Sequence, residues 1–138
     1  MTLDADVVRG RCNEIEQALD RLARIRAGGR AAFLEDPDAK DIACYRLLLA
    51  IEAALALCYH VSARQLRRVP DDYAGCFAGQ LQAGLIPADL SSRLQQMARF
   101  RNLLVHVYWE VDYGRVFDVL ETDVDDLRAF SRAIASLL

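Results

Sequence analysis

Apolar residues recur every three or four positions nearly from end to end of this chain, and no stretch alternates with period two between turn signals. Such spacing lines apolar side chains along one stripe of a helix, so the whole chain must bury helices against helices. The first helix is expected over 4–27, where Val8, Cys12, Ile15, Leu19 and Leu22 form a narrow stripe and Gly28-Gly29 ends it. A second starts at Asp36-Pro37, with an aspartate to cap and a proline suited to the first turn. Its spacing extends to Val69, just before Pro70, which would make a rod of roughly 45 Å at 1.5 Å per residue. Its centre, 45–61, is apolar on most sides, which predicts the most buried element. A short third helix follows Pro70-Asp71-Asp72 as far as Leu81, and a fourth follows Pro87-Ala88-Asp89. A fifth runs from about Asp112 toward Leu138 on the stripe Phe117, Leu120, Val124, Leu127, Phe130 and Ile134, with Thr122-Asp123 as a kink or a second cap. The expected fold class is all-α, an antiparallel four- to five-helix bundle, and 138 residues suit one domain, 1–138.

Composition narrows the functional classes. The net charge of −3 argues against a general nucleic-acid coat and leaves room for a local basic site. The longest apolar run, Leu47 to Cys58, is interrupted by Glu52, so no membrane span is expected. The start, Met-Thr-Leu-Asp-Ala-Asp, has neither a basic nor an apolar leader segment, and a cytoplasmic setting is expected. Cys12, Cys44, Cys58 and Cys76 are scattered without a CxxC pair; they are expected as reduced, buried, hydrophobe-like thiols. Two histidines cannot make a zinc site unaided, so no metal and no cofactor is expected. Acidic residues crowd 110–126, while arginines lead at 64–68 and 93–101; both read first as solvated helix faces.

The segment Arg101-Asn102-Leu103-Leu104-Val105-His106-Val107-Tyr108 stands out from this background. At about 100° per residue, Arg101 and Tyr108 fall about 20° apart on one face, and Asn102 and His106 share a neighbouring one. Leu103, Leu104 and Val107 take the opposite side. The seam Leu90, Leu94, Met97 continues into Arg101, while Phe100, Leu104, Val107 and Val111 take over the core-facing role. A mixed polar and apolar stripe of this kind faces a cleft or a second subunit. Taken one at a time, each polar residue has a duller account. Arg101 could be a surface ion-pair partner, Asn102 a solvated helix residue, His106 a hydrogen-bonded structural histidine and Tyr108 a half-buried packing residue. Trp109 reads as an interface or core anchor before an RNA-stacking platform, and His60 as a satisfied histidine on a buried helix that could instead line a cleft.

The string Arg101 to Asp112 resembles the signature of the HepT-like toxins, a branch of the HEPN superfamily of all-helical ribonucleases. The superfamily mark, arginine followed by four to six residues and histidine, falls on Arg101 and His106; the branch adds Asn102 and Tyr108. The resemblance covers about 41–130 and takes in Tyr45-Arg46-Leu47 through Ala54, Tyr59-His60, and Gly84-Leu85-Ile86. It implies the toxin of a type VII-like toxin–antitoxin pair, a metal-independent endoribonuclease working as a homodimer, alone or within a larger hetero-oligomer. It also implies an MntA-like nucleotidyltransferase antitoxin as partner, which silences the toxin by transferring AMP to the motif tyrosine, here Tyr108.

The residues themselves support the chemistry. Metal-free cleavage of RNA uses the ribose 2′-hydroxyl as nucleophile, and needs a base, an acid and positive charge at the phosphorane. An imidazole titrates near neutrality, so His106 can serve as base or acid. Arg101 can grip two phosphate oxygens and stays charged. Asn102 can orient the imidazole or donate to the phosphate. One histidine cannot be acid and base in a single step, which favours a two-fold site built from two copies. The product would be a 2′,3′-cyclic phosphate. Two other functions fit the same helices: a non-catalytic substrate-binding or regulatory partner of a nucleotidyltransferase, and a plain dimerisation module.

Overall fold

The computed structural model describes residues 2–106 and 110–138, with His106 described in its backbone alone. Among the described residues there are seven α-helices and no strand: α1 (Ala5–Ala27), α2 (Arg30–Glu35), α3 (Pro37–Val61), α4 (Tyr73–Gln82), α5 (Ala88–His106), α6 (Tyr113–Thr122) and α7 (Val124–Ala135). Aspartates set four of the starts. Asp4, Asp36, Asp72 and Asp112 each accept backbone N–H groups of the first turn, satisfying donors that the helix itself leaves unpaired.

The central helix is α3. It packs most extensively on α1 and is touched by α2, α4, α5, α6 and α7. Leu47, Ala50, Ile51, Ala54, Leu57 and Cys58 are almost fully buried on it. The stretch Pro37–Leu66 is long and apolar enough, by length and composition, to cross a bilayer, Glu52 notwithstanding. That corrects the expectation drawn from the interruption at Glu52; in this bundle half of the most apolar stretch is covered by neighbouring helices. Ile15, Leu19 and Leu22 of α1 meet α3, and Leu94 of α5 with Leu127, Phe130 and Ile134 of α7 complete one core. Phe77 of α4 meets Phe130 edge-on, with ring centroids 5.3 Å apart.

Three departures from the sequence reading, and one place where it left two outcomes open, have physical causes. First, α3 stops at Val61 rather than continuing to Val69. A π-helical turn, Ser62–Leu66, follows, and Arg67 sits at φ 53°, a left-handed conformation that cannot propagate a helix. Second, α2 was not anticipated: its six residues are too few to show a period, and only Phe33 is buried. Third, where Thr122-Asp123 was expected as a kink or a second cap, the last helix is divided into two. Thr122 Oγ1 donates to the Asp118 carbonyl at 2.9 Å and to Asp123 Oδ1 at 3.1 Å, and α7 begins after Asp123. Fourth, Cys58 and Cys76, expected as free thiols, are joined in a disulfide between α3 and α4, with Cα atoms 6.3 Å apart. Both are fully buried, as hydrophobe-like cysteines would be. Cys12 and Cys44 are free, and burial pushes the Cys44 thiol up to about 11.

The charged clusters also pair rather than simply face solvent. Arg30 of α2 bridges Asp118 and Glu121 of α6 and donates to the Gly114 carbonyl. Arg93 of α5 reaches Asp126 of α7 at 3.0 Å, and Arg128 of α7 reaches Glu16 of α1 at 3.2 Å. Most of these partners are half-exposed, so they set helix register more than they add stability. The core should dominate instead. Leu47→Ala is expected to cost about 2–5 kcal/mol in urea unfolding, because the side chain is fully enclosed on the central helix; a change below about 1 kcal/mol would show that α3 is not the core element.

Candidate functional site

Helix α5 carries the first half of the motif across the end of α3. Its seam begins as the sequence reading has it, with Leu90, Leu94 and Met97 buried. Arg101 is the next step of that seam, and its side chain is only 17 % exposed. A cation that deep needs partners. The Arg101 Nε–H donates to Glu52 Oε1 of α3, and the guanidinium carbon lies 5.0 Å from the centre of the Tyr73 ring of α4. Nη1 donates to Asn102 Oδ1 at 3.3 Å. Arg101 and Asn102, neighbours in the chain, are thus hydrogen-bonded to each other. Phe100 is buried and Leu104 and Val111 pack against the core, while Leu103 is 45 % exposed and takes no core role.

The remaining motif positions are not all open to structural description. Val107, Tyr108 and Trp109 lie outside the described residues, as does the side chain of His106.

Beside Arg101 opens a cleft of about 580 Å³ lined by Tyr59, Asp71, Asp72, Tyr73, Ala74, Ala98, Arg99 and Asn102. It lies where the end of α3, the loop before α4 and the middle of α5 meet. Tyr59 and Tyr73 stand edge to face, with ring centroids 5.9 Å apart and planes at 89°. Burial, followed by the neighbouring Tyr73 and Asp72, pushes the Tyr59 phenol up, so it stays a neutral donor. Asp72 Oδ1 is committed to the Gly75 N–H at 2.6 Å. A second, smaller cavity of about 130 Å³ lies between Phe100, Leu103, Leu104, Val111 and Arg115.

Chemically, this is a fixed cation at the edge of a cleft with an aromatic floor and mixed charge. A guanidinium has five N–H donors, and two are engaged by Glu52 and Asn102 among the described residues. The others can meet an anion without reorienting the group. Sequence reasoning missed Glu52, Tyr59, Tyr73 and Arg99 as site residues. The signal for Glu52 was present: it is a lone charge in an apolar run, seven residues before Tyr59 and therefore on the same face of α3. Tyr73 and Arg99 carried no such mark. Among the described residues, no three histidine, cysteine, aspartate or glutamate side chains are grouped as a metal would need.

The family profile for HepT-like ribonucleases matches residues 15–134. The chain belongs to the HepT-like family. It is 25 % identical over 125 residues to the mRNA nuclease HepT of Shewanella oneidensis, covering 91 % of this chain and 93 % of that one. Its fold is similar to that of a tri-AMPylated Shewanella oneidensis HEPN toxin solved in complex with an MNT antitoxin, with a TM-score of 0.87 at 24 % identity, over 95 % of this chain and 98 % of the other. A toxin–antitoxin structure with AMP-PNP matches with a TM-score of 0.85 at 24 % identity, over 94 % and 98 % of the two chains. Among the described residues this HepT-like chain is thus all-helical, with Asn102 lining a cleft and Arg101 against two of the lining residues, Tyr73 and Asn102.

His60 has a structural role. Its Nε2 accepts the Asp4 N–H at 3.1 Å, so the imidazole holds the start of α1 and does not line the cleft. Burial, then Arg64, pushes its pKa down, with Asp4 opposing. The folded chain therefore binds this proton less tightly than the unfolded chain. The associated stability is complete above about pH 6.5 and is lost as pH falls through that value toward the folded one. Thermal midpoints measured from about pH 7.5 to about 5.5 should fall, and His60→Gln should flatten that slope. Equal slopes in the two proteins would assign the loss to other groups.

Proposed function

We propose that this chain is the toxin of a two-gene, type VII-like toxin–antitoxin pair and cleaves RNA without a metal. Membership of the HepT-like ribonuclease family over 15–134, with the string Arg101-Asn102-x3-His106-x-Tyr108 intact, carries the reading. A relative spanning nine-tenths of the chain is an mRNA nuclease, which supports RNA as the substrate class. The whole chain, 1–138, acts as one domain in the cytoplasm.

The 2′-hydroxyl of the substrate attacks the adjacent phosphorus as His106 takes its proton. The bond to the 5′-oxygen breaks, that oxygen takes a proton from a second acid, and the product is a 2′,3′-cyclic phosphate. The second acid is His106 of a second copy, so the working unit is a homodimer, alone or in a larger assembly with its partner. Arg101 holds the phosphorane. Its Nε end is fixed by Glu52 and its face lies over Tyr73, so the cation is placed before substrate arrives. Asn102 is a supporting residue beside both.

An MntA-like nucleotidyltransferase is the proposed antitoxin. The similar toxin of Shewanella oneidensis is AMPylated and in complex with an MNT antitoxin, which supports that partner. Attack of the Tyr108 hydroxyl on the α-phosphorus of ATP would release pyrophosphate and the phenol proton, join AMP to the phenol oxygen as a phosphodiester, and place negative charge seven residues from Arg101 in the sequence. That charge would occupy the guanidinium and repel RNA.

Purified protein in excess chelator is expected to cleave RNA to cyclic phosphate ends. His106→Ala and Arg101→Ala should each reduce the rate about a hundredfold or more while circular dichroism stays that of the folded bundle. Full activity in either variant, or activity that vanishes with chelation, would overturn the mechanism. For the partner, coexpression with an MntA-like nucleotidyltransferase should add the mass of AMP to wild type and not to Tyr108→Phe. Modification that persists in that variant would place the acceptor elsewhere.

A further inference from the structure

The cleft beside Arg101 is built for something less charged than a phosphate. Asp71 and Asp72 enter from the loop before α4, Arg99 and Asn102 from α5, and the Tyr59–Tyr73 pair lies between them. Two carboxylates repel a phosphate, so the interior suits a phosphate less well than Arg101, which lies against the lining residues Tyr73 and Asn102. An uncharged planar group with hydrogen-bonding edges suits the interior. The rings add aromatic surface to the lining, of the kind that single-stranded nucleic acid sites use, with one face of Tyr73 taken up by Arg101. Asp71 is exposed and accepts no hydrogen bond among the described residues, so both its oxygens are available to a ligand. Arg99 is likewise exposed, and the neutral Tyr59 phenol is a donor.

The four RNA bases differ in how they meet such a set. Guanine presents two adjacent donors, N1–H and the N2 amine, which a single carboxylate accepts side by side. Its O6 and N7 are acceptors that suit an arginine fork. Uracil has one ring N–H between two carbonyls, which a carboxylate would face unfavourably. Adenine and cytosine each offer one amine beside a bare ring nitrogen.

We propose that this cleft is a base-recognition subsite, that it takes the base next to the scissile phosphate, and that it prefers guanine through Asp71 with Arg99. This rests on the ribonuclease reading for the word scissile; the base site itself stands on the cleft alone.

Two measurements test it. Cleavage of a set of oligoribonucleotides differing in one base should favour guanine at one side of the cut by about tenfold in kcat/KM, the scale of one good paired contact. Asp71→Asn should collapse the guanine-to-adenine ratio, since an amide presents an N–H to the N1–H or N2 amine in place of one acceptor. Asp71 is chosen over Asp72 because it caps no helix. In parallel, the four ribonucleoside 5′-monophosphates are titrated at millimolar concentration while the Tyr59 and Tyr73 ring signals are followed by NMR. Guanosine monophosphate should shift them most, and Asp71→Asn should weaken that shift. Cleavage without base preference, unchanged in Asp71→Asn, overturns the subsite and leaves the ribonuclease standing. No cleavage at all, with selective and Asp71-dependent binding of guanosine monophosphate, keeps the subsite and removes the nuclease. Equal ring shifts with all four monophosphates, or none, overturn the proposal.

Discussion

Everything in this bundle depends on burying α3. A helix that is apolar on most sides has no stable exposed state, so other elements must wrap it. Helix α1 covers the longest stretch, and α4, α5 and α7 close the remainder. The same requirement explains the site. At Glu52 the apolar run of α3 carries a carboxylate, and a carboxylate near the core calls for a cation. Arg101, the polar continuation of the α5 seam, supplies it. One ion pair at the edge of the core thus fixes where α5 crosses α3 and how a guanidinium is presented.

That arrangement reconciles a net negative chain with the RNA substrate proposed for it. A uniform basic surface would bind any nucleic acid; a chain of charge −3 cannot rely on that. Five of its sixteen arginines form ion pairs among the described residues, Arg30, Arg93 and Arg128 among them. Affinity then has to come from a few oriented groups in one place. Arg101 is restrained at one end by Glu52 and across its face by Tyr73, which removes much of the freedom a long side chain would otherwise lose on binding.

The helices were legible in the sequence to the extent that they carry a period and a cap. The starts of α1, α3, α4 and α6 follow from Asp4, Asp36, Asp72 and Asp112, because an aspartate before an apolar-periodic run acts locally. Helix α2 has too few residues to show periodicity, and the π-helical turn that follows α3 is ended by Arg67 adopting a conformation normally left to glycine. Neither is a pattern. The motif string was legible as a candidate site; of it, Arg101 and Asn102 are described in full, and Val107 to Trp109 with the His106 side chain lie outside the described residues. Glu52, Tyr59 and Tyr73 become site residues only through packing between helices far apart in the chain. The pairing of Cys58 with Cys76 is of the same kind, since 18 residues and a turn separate them.

Asp72 does two jobs with one side chain. It caps α4 through the Gly75 N–H and also forms part of the cleft wall. Gly75 is bound into the same arrangement, because a methyl group there would sit 2.8 Å from Asp72 Oδ1. The two positions can therefore drift only together, and any drift at Asp72 loosens a helix start. Asp71, one residue earlier, has no such duty. Over evolutionary time, diversification of this wall should concentrate at position 71, while 72 and 75 stay frozen by the folding of the helix they begin.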